Sequence, residues 1–213
     1  MKLPRVYPLT DGQLSGLSQV QQVRLLSLGG ASLIQLREKR MAAREFYEEA
    51  KAAVAATAQW GVKLLINDRV DIALAVGAHG VHLGQDDMSP DAARKLLGQD
   101  ALIGYSTHSV EQAIAATKLP IDYLAVGPIF STTTKSDTAP VVGLEGLRAV
   151  REATGDFPLV AIGGITPENA RDVIQAGADS VALVSALLSD PTTITKATRL
   201  LIQDLQVFPA PAD

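Results

Sequence analysis

The sequence contains no cysteine, which excludes disulfide bonds, thiolate metal sites and cysteine nucleophiles. It also lacks an excess of positive charge. Its formal net charge is −4, so no general basic field attracts nucleic acid or an anionic membrane. No stretch approaches about 18 uninterrupted apolar residues, and the first residues lack the apolar run of a signal peptide. We therefore expect a cytoplasmic protein that binds neither nucleic acid nor membranes, and any anion site must be local.

The composition is typical of a globular protein with one substantial core, since 47% of the 213 residues are hydrophobic and 20% are charged. No linker or change of composition divides the chain, so we predict a single domain over residues 1–206. The Pro- and Ala-rich end, residues 207–213, is predicted to fray. A monomer and a small homo-oligomer are both compatible with this composition.

Short apolar runs alternate along the chain with longer stretches of helical periodicity. Runs that are apolar on both faces are typical of parallel strands covered by helices, and eight repeats favour a closed (β/α)8 TIM barrel over an open sheet. Ala42–Trp60 has the two faces of an outer helix. Ser89, Thr166 and Asp190, each followed by proline, are predicted to cap helices. The predicted strands are 5–10, 32–37, 63–67, 80–83, 102–105, 123–126, 159–162 and 180–184.

The end of strand two carries two cations, and active sites of (β/α)8 barrels lie at the carboxyl ends of the strands. Alternation along an extended strand places Gln35, Arg37 and Lys39 on one face, which predicts that both cations point toward the barrel mouth. The structural alternative is that the arginine is held in an ion pair, with Glu38 or with an acidic neighbour from another strand.

The ends of strands three and four bring acidic side chains to the same rim. Asn67 and Asp68 follow strand three, and Asp87 follows strand four. Helix capping is the structural alternative for each aspartate. However, Mg²⁺ takes one or two protein carboxylates and completes its octahedron with waters and phosphate oxygens, which suits such a sparse pair. Together with the cations of strand two, the pair predicts a magnesium-bound diphosphate.

Loops after strands five to eight offer further contacts. Ser106 ends strand five with no base next to it in the sequence, so we expect a substrate hydrogen bond rather than a nucleophile. His82 is expected in the core or behind the ligands. Lys135 closes a hydroxyl-rich loop and suits a phosphate clamp, and residues 131–143 are predicted to form a lid.

A second anion site is predicted after strands seven and eight, where barrels commonly bind phosphate through backbone N–H groups. Gly163-Gly164 follows strand seven and Val184-Ser185 follows strand eight. With the first site, this indicates two phosphorylated small-molecule substrates, or one substrate that is phosphorylated twice.

These motifs resemble, in order and over nearly the whole chain, those of the thiamin-phosphate synthase family. They are QLREK (35–39), INDRVDIAL (66–74), GVHLGQDD (80–87), GYSTHS (104–109), GPIFSTTTK (127–135), AIGGI (161–165) and VS (184–185). The resemblance implies a transferase that joins 4-amino-2-methyl-5-hydroxymethylpyrimidine diphosphate to a methyl-hydroxyethylthiazole phosphate, with release of pyrophosphate.

The resemblance also implies roles for individual residues. Magnesium would be held by Asp68 and Asp87. Arg37, Lys39, Ser106 and Lys135 would be catalytic. The pyrimidine diphosphate would be bound by Gln35, Arg37, Lys39, Asn67, Ser106 and Lys135, and the thiazole phosphate by Thr132, Thr134, Gly164, Val184 and Ser185. The implied reaction is dissociative and requires no protein nucleophile, which agrees with the absence of a catalytic triad from the sequence.

Three other functions compete with this prediction. A thiazole tautomerase shares the barrel but uses a histidine near strand six, where this chain has Pro128, and lacks the paired carboxylates. A non-catalytic protein that binds thiazole or thiamin phosphate would tolerate loss of the magnesium ligands. A phosphosugar isomerase or epimerase would need an acid/base pair at the mouth, and none is evident in the sequence.

Overall fold

A computed structural model describes residues 2–132 and 140–206, and its strands form one eight-stranded parallel sheet rolled into a barrel. The predicted (β/α)8 fold is therefore confirmed. The predicted tail, 207–213, and most of the predicted lid lie outside the described residues. The strands are β1 Val6–Pro8, β2 Leu33–Leu36, β3 Lys63–Asn67, β4 Gly80–Leu83, β5 Leu102–Thr107, β6 Tyr123–Val126, β7 Leu159–Ile162 and β8 Ser180–Leu183.

From β2 to β8 each strand pairs in parallel with the next along the chain, and β1 pairs with β8. The seam between β1 and β2 is closed just beyond Pro8. There Leu9 forms a bridge with Gln35, and the Thr10 N–H donates to the Gln35 carbonyl oxygen at 2.9 Å. The barrel is thus closed at a residue of the predicted diphosphate site.

Helices alternate with the strands on the outside of the barrel. The predicted long helix is confirmed as α2, which a 3₁₀ turn extends to Trp60, and Ser89 caps α4 by accepting from the Ala92 N–H at 3.3 Å. The helices are α1 Gln19–Leu28, α2 Ala43–Thr57, α3 Val70–Val76, α4 Pro90–Leu97, α5 Val110–Ala116, α6 Gly143–Thr154, α7 Ala170–Gln175, α8 Ser185–Leu188 and α9 Ile194–Gln206.

Two helix starts differ from the prediction. The helices expected directly after Thr166 and Asp190 begin later, at residues 170 and 194, because a turn comes first in both places. Local side-chain hydrogen bonds explain this: Asn169 Oδ1 accepts from the Thr166 N–H at 2.9 Å, and Asp190 Oδ1 accepts from the Thr192 N–H at 2.9 Å.

The apolar core has two layers, as a barrel surrounded by helices requires. The larger layer lies between strands and helices, and a smaller one fills the barrel interior. The buried side chains of Gln35, Asn67 and His82 lie above the inner layer, toward the carboxyl ends of the strands. They form a polar floor for the barrel mouth. Among the described residues, no helix combines the length and the apolar character needed to cross a membrane.

Candidate active site

Two adjoining cavities open at the carboxyl ends of the strands. The larger encloses about 900 Å³ and is lined mainly by residues of β1 to β5 and the loops that follow them, whereas the smaller encloses about 170 Å³ and is lined mainly by the loops after β6 to β8. Arg37 and Ser106 line both. Five of the predicted diphosphate residues therefore line one cavity, and the predicted second anion site adjoins it; the sixth, Lys135, lies outside the described residues.

Arg37 reaches the mouth as part of an ion pair. Its Nη1 lies 3.1 Å from Asp11 Oδ2, with side-chain exposures of 11% and 16%, and its backbone N–H donates to Thr10 Oγ1 at 2.9 Å. The acidic neighbour from another strand, raised as the alternative for this arginine, is thus present after β1. Sequence analysis missed Asp11, although it is the first acidic residue beyond strand one.

Lys39, Asp68 and Asp87 form a charged cluster that also lines the larger cavity. Lys39 Nζ lies 2.5 Å from Asp68 Oδ2, and Asp87 Oδ2 accepts from the Gly84 N–H at 2.7 Å. Burial raises the pKa of Asp68; the hydrogen bond from Lys39 opposes that rise and the neighbouring Asp87 carboxyl adds to it. The two carboxylates therefore repel each other, and Lys39 only partly compensates.

The backbone at Asp68 is held in an unusual conformation. Its φ is 62°, in the left-handed region that residues other than glycine rarely adopt. The Asp68 N–H donates to the His82 carbonyl oxygen at 2.9 Å, which ties this conformation to the neighbouring strand. Strain of this kind occurs at functional sites, where the surrounding structure fixes the direction of one side chain.

The donor set fits a magnesium ion that is shared with a substrate. The described residues contain no cluster of three or more His, Cys, Asp or Glu side chains able to hold a metal on its own. The two adjacent carboxylates supply hard oxygen ligands, which Mg²⁺ prefers, and leave most coordination positions to water and phosphate oxygens. Asp68 and Asp87 are therefore suited to a metal that arrives with a diphosphate.

Two buried amide atoms on the cavity floor have no hydrogen-bond partner among the described residues. They are Gln35 Oε1, an acceptor, and Asn67 Nδ2, a donor. A buried polar atom without a partner is costly, so these atoms indicate groups that a ligand satisfies. The donor suits a phosphate oxygen and the acceptor suits an amino group.

Ser106 is hydrogen-bonded to a histidine, contrary to the expectation that no base lies beside it. Ser106 Oγ lies 2.9 Å from His82 Nε2, and His82 Nδ1 lies 3.0 Å from the Tyr123 hydroxyl. The contact arises because β4 and β5 pair with His82 opposite Gly104, which places Ser106 one inward-facing position further along. Only the register between two strands reveals this neighbour.

The smaller cavity is shaped by two glycines after β7. Gly163 and Gly164 have φ values of 102° and 65°, and a Cβ on Gly164 would lie 2.7 Å from Phe130 Cβ. The Phe130 N–H donates to the Gly163 carbonyl oxygen at 3.0 Å, so the loops after β6 and β7 are joined. This part of the chain therefore requires glycine for both its conformation and its close packing.

Other predicted residues of the second site also line the smaller cavity, namely Thr132, Val184 and Ser185. Ser185 is the first residue of α8, as expected for a phosphate-binding loop followed by a short helix. Thr134 and Lys135 lie outside the described residues. His108 also lines this cavity, and it joins two loops because its Nδ1 lies 2.6 Å from the Gly127 carbonyl oxygen.

Comparisons with known proteins extend over nearly the full chain. A sequence profile described as thiamine monophosphate synthase matches residues 6–187. A thiamine-phosphate synthase from Koribacter versatilis is 49% identical over 196 residues, covering 90% of this chain and 92% of that relative. One from Chloroflexus aurantiacus is 47% identical over 205 residues, covering 95% and 94%. A solved thiamine phosphate pyrophosphorylase from Pyrococcus furiosus has a TM-score of 0.84 and 38% identity, covering 95% of this chain and 96% of that one.

Proposed function

The chain belongs to the thiamine monophosphate synthase family and is a transferase, and from this premise we propose its substrates and site residues. The substrates are 4-amino-2-methyl-5-hydroxymethylpyrimidine diphosphate and a methyl-hydroxyethylthiazole phosphate or its carboxylated form. The products are thiamin phosphate and pyrophosphate. One observation carries this proposal: Arg37 and Ser106 line two cavities at once. The larger contains cations and paired carboxylates, and the smaller is bounded by glycines.

The pyrimidine diphosphate binds in the larger cavity. Arg37, Lys39 and, from the loop after β6, Lys135 hold the diphosphate, and the unpaired Asn67 Nδ2 donates to one of its oxygens. The unpaired Gln35 Oε1 accepts from the pyrimidine, and Ser106 contacts the pyrimidine or the departing diphosphate. Each side chain thus meets a group of complementary charge or hydrogen-bonding character.

The reaction is a dissociative substitution. The bond between the pyrimidine methylene carbon and the diphosphate oxygen breaks, and both electrons leave with pyrophosphate. The electron-rich aminopyrimidine stabilises the resulting cation, and the thiazole nitrogen then donates its lone pair to form the new C–N bond. The cationic side chains stabilise the leaving group where its charge develops. No protein nucleophile takes part.

Magnesium held by Asp68 and Asp87 would neutralise charge on the diphosphate. The protein's own contribution is to direct both carboxylates into the cavity, through the left-handed backbone at Asp68 and the Gly84 N–H that binds Asp87. Lys39 lies against this pair and is close enough to contact the same diphosphate.

The thiazole phosphate binds in the smaller cavity. Thr132, Thr134 and Ser185 supply hydroxyl groups, while Gly164 and Val184 supply backbone that a phosphate can approach closely. Because this cavity adjoins the larger one, the thiazole nitrogen can face the methylene carbon. Holding both partners in line accounts for much of the rate enhancement in such reactions.

The proposal is tested by mixing the protein with Mg²⁺ and both substrates and measuring pyrophosphate and thiamin phosphate. Pyrophosphate should appear only when both substrates are present. Arg37→Ala removes a cation that stabilises the leaving group, and Asp68→Ala removes a ligand of the magnesium ion that would neutralise it, so each should lower turnover on the order of 100-fold. Arg44→Ala and Asp91→Ala, which change exposed residues on α2 and α4, are the matched controls.

Full turnover in both site variants would contradict the assignment of these residues. Isomerisation of a thiazole phosphate without release of pyrophosphate would instead identify a tautomerase. Binding of both substrates without any turnover would identify a non-catalytic relative.

A further inference from the structure

A continuous chain of hydrogen bonds crosses the barrel interior beneath the larger cavity. Gln35 Nε2 donates to the Tyr7 hydroxyl at 3.0 Å, and the hydroxyls of Tyr7 and Tyr123 are 2.9 Å apart. The Tyr123 hydroxyl is 3.0 Å from His82 Nδ1, and His82 Nε2 is 2.9 Å from Ser106 Oγ. Five side chains on five different strands are thus linked from one wall of the cavity to the other.

The Gln35 side-chain amide, at one end of this chain of hydrogen bonds, fixes the direction of every hydrogen bond in it. Gln35 Nε2 has only protons to offer, so the Tyr7 oxygen accepts, and the single proton of Tyr7 is left for Tyr123. The proton of Tyr123 is in turn left for His82 Nδ1. A histidine that accepts at Nδ1 carries its proton on Nε2 when neutral, so Nε2 donates to Ser106 Oγ. The hydroxyl proton of Ser106 then points away from the histidine.

We propose that Tyr7 and Tyr123 are positioning residues that hold His82 as its Nε2–H tautomer and so turn the Ser106 hydroxyl into a hydrogen-bond donor to the substrate. The identity of that substrate rests on the proposed function. The direction is opposite to that in a nucleophilic serine, which donates its proton to the histidine. The Ser106–His82 contact therefore prepares a donor and not a nucleophile.

The packing around the tyrosines supports this role. Tyr7 and Tyr123 are 1% and 0% exposed, and their rings meet edge to face with centroids 6.0 Å apart. A Cβ at Gly104 would lie 2.0 Å from Tyr123 Cζ, so the tyrosine ring fits only because residue 104 has no side chain. Burial raises the pKa of Tyr7 to about 12 and that of Tyr123 well above its ordinary value, which keeps both hydroxyls protonated.

The two ends of the chain present different groups to the larger cavity. At one end Gln35 Oε1 is an acceptor without a partner among the described residues, because the amide uses Nε2 for Tyr7. At the other end Ser106 offers its proton. A ligand that carries an amino group and a nearby acceptor atom can bond to both ends. If every hydrogen bond ran in the opposite direction, the Ser106 hydroxyl proton would point to His82 and not to the ligand.

The first test is the tautomer of His82 in the ligand-free protein, read from its ring ¹⁵N resonances by NMR and assigned by their loss in His82→Asn. We expect a proton on Nε2 in the unmodified protein, and His82→Asn serves only to assign the resonances. A proton on Nδ1 would overturn the proposal, because the chain would then run in the opposite direction.

The second test reverses the chain from its far end. Gln35→Glu, measured at pH 8, replaces the donor by an acceptor, so Tyr7 should donate to the carboxylate and the proton of His82 should move to Nδ1. The same substitution combined with Tyr7→Phe should leave the proton on Nε2, since the link is cut. An unchanged tautomer in Gln35→Glu, or an equal change in both proteins, would overturn the role of the tyrosines.

The third test is kinetic. Tyr123→Phe should lower kcat/KM for the pyrimidine diphosphate about tenfold while the KM for the thiazole phosphate stays the same, because only the donor at Ser106 is perturbed. Tyr105→Phe removes a hydroxyl that lies outside the chain and is the control. Equal kinetics in the two variants would overturn the proposal. Failure to release pyrophosphate in the unmodified protein would refute the proposed function while leaving the NMR tests intact.

Discussion

The amino-terminal end of the barrel, opposite the active site, is held by a buried arginine. Arg94 on α4 is 2.7 Å from Asp122 Oδ2, and the same oxygen accepts from the Ile103 N–H at the start of β5 at 2.8 Å. Its guanidinium also donates to four backbone carbonyl oxygens, those of Gly98, Gln99, Ala101 and Pro120. One side chain thus joins α4, β5 and the segment that leads into β6.

The same arrangement recurs further along the chain. Arg151 on α6 is 2.7 Å from Asp179 Oδ2, which accepts from the Leu159 N–H at 2.8 Å, and both pairs are separated by 28 residues. The second pair is more open to solvent, since Arg151 and Asp179 are 23% and 46% exposed against 10% and 29% for the first. Two copies of one interaction in different degrees of burial allow a matched comparison.

We predict that Arg94→Met destabilises the fold more than Arg151→Met does. Methionine keeps an apolar stem but removes the guanidinium that donates to the carbonyl groups and neutralises the aspartate, which keeps only its backbone N–H donor. Removing one partner of a buried ion pair costs about 3–5 kcal/mol. Because Asp122 is partly exposed, Arg94→Met should lower the free energy of unfolding by about 3 kcal/mol. Because Arg151 and Asp179 are more exposed, Arg151→Met should lower it by about 1–2 kcal/mol. The corresponding loss in Tm for Arg94→Met is about 6–12 °C.

Urea unfolding followed by circular dichroism measures both free energies, and turnover at 25 °C provides the control. Turnover per folded molecule should be unchanged in both variants. Residues at the amino-terminal end of a barrel contribute to stability, whereas those at the opposite end carry out catalysis. A loss below about 1 kcal/mol in Arg94→Met, or a larger loss in Arg151→Met, would refute the argument from burial.

Two further predictions concern the mouth. Because burial and Asp87 raise the pKa of Asp68, ionising it costs the folded state stability as pH rises through that pKa. Asp68→Asn should therefore raise Tm in metal-free buffer at pH 8 but not at pH 3. An equal Tm difference between variant and unmodified protein at the two pH values would argue against the raised pKa of Asp68. Gly164→Ala should raise the KM for thiazole phosphate at least tenfold, because the added methyl group would collide with residues 130–131. Gly155→Ala is the control: Gly155 also has a positive φ, but no atom lies within 4 Å of the added Cβ, so the KM should not change.

Most of the fold was predictable because strands buried on both faces leave a strong signal in the sequence. Four of the eight predicted strands, at 63–67, 80–83, 123–126 and 159–162, match the observed bounds. β5 continues two residues beyond its predicted end because Ser106 and Thr107 pair with β6. β1 is shorter than predicted, although the hydrogen bonds continue beyond Pro8: the Leu9 N–H donates to the Leu183 carbonyl oxygen of β8, and the Thr10 N–H donates to the Gln35 carbonyl oxygen of β2.

The residues at strand ends were predictable, but their partners were not. Barrel topology alone brings the ends of β2, β3 and β4 to one rim, so Arg37, Asp68 and Asp87 follow from the strand assignments. The contact between His82 and Ser106 depends on strand register, and the ion pair with Asp11 depends on the path of the loop after β1. Such contacts between distant residues are not encoded in any local pattern.

The two cations that follow β2 are each held by a carboxylate at the mouth. Arg37 is paired with Asp11 and Lys39 with Asp68, and the diphosphate of the proposed substrate competes for the same two cations. When Lys39 turns to the diphosphate, Asp68 loses the hydrogen bond that opposes the rise of its pKa and is left beside Asp87. A divalent cation would relieve that repulsion, so we predict that diphosphate and cation binding favour each other, and by reciprocity each should strengthen the other equally. The paired carboxylates and the cations of β2 therefore act as one unit.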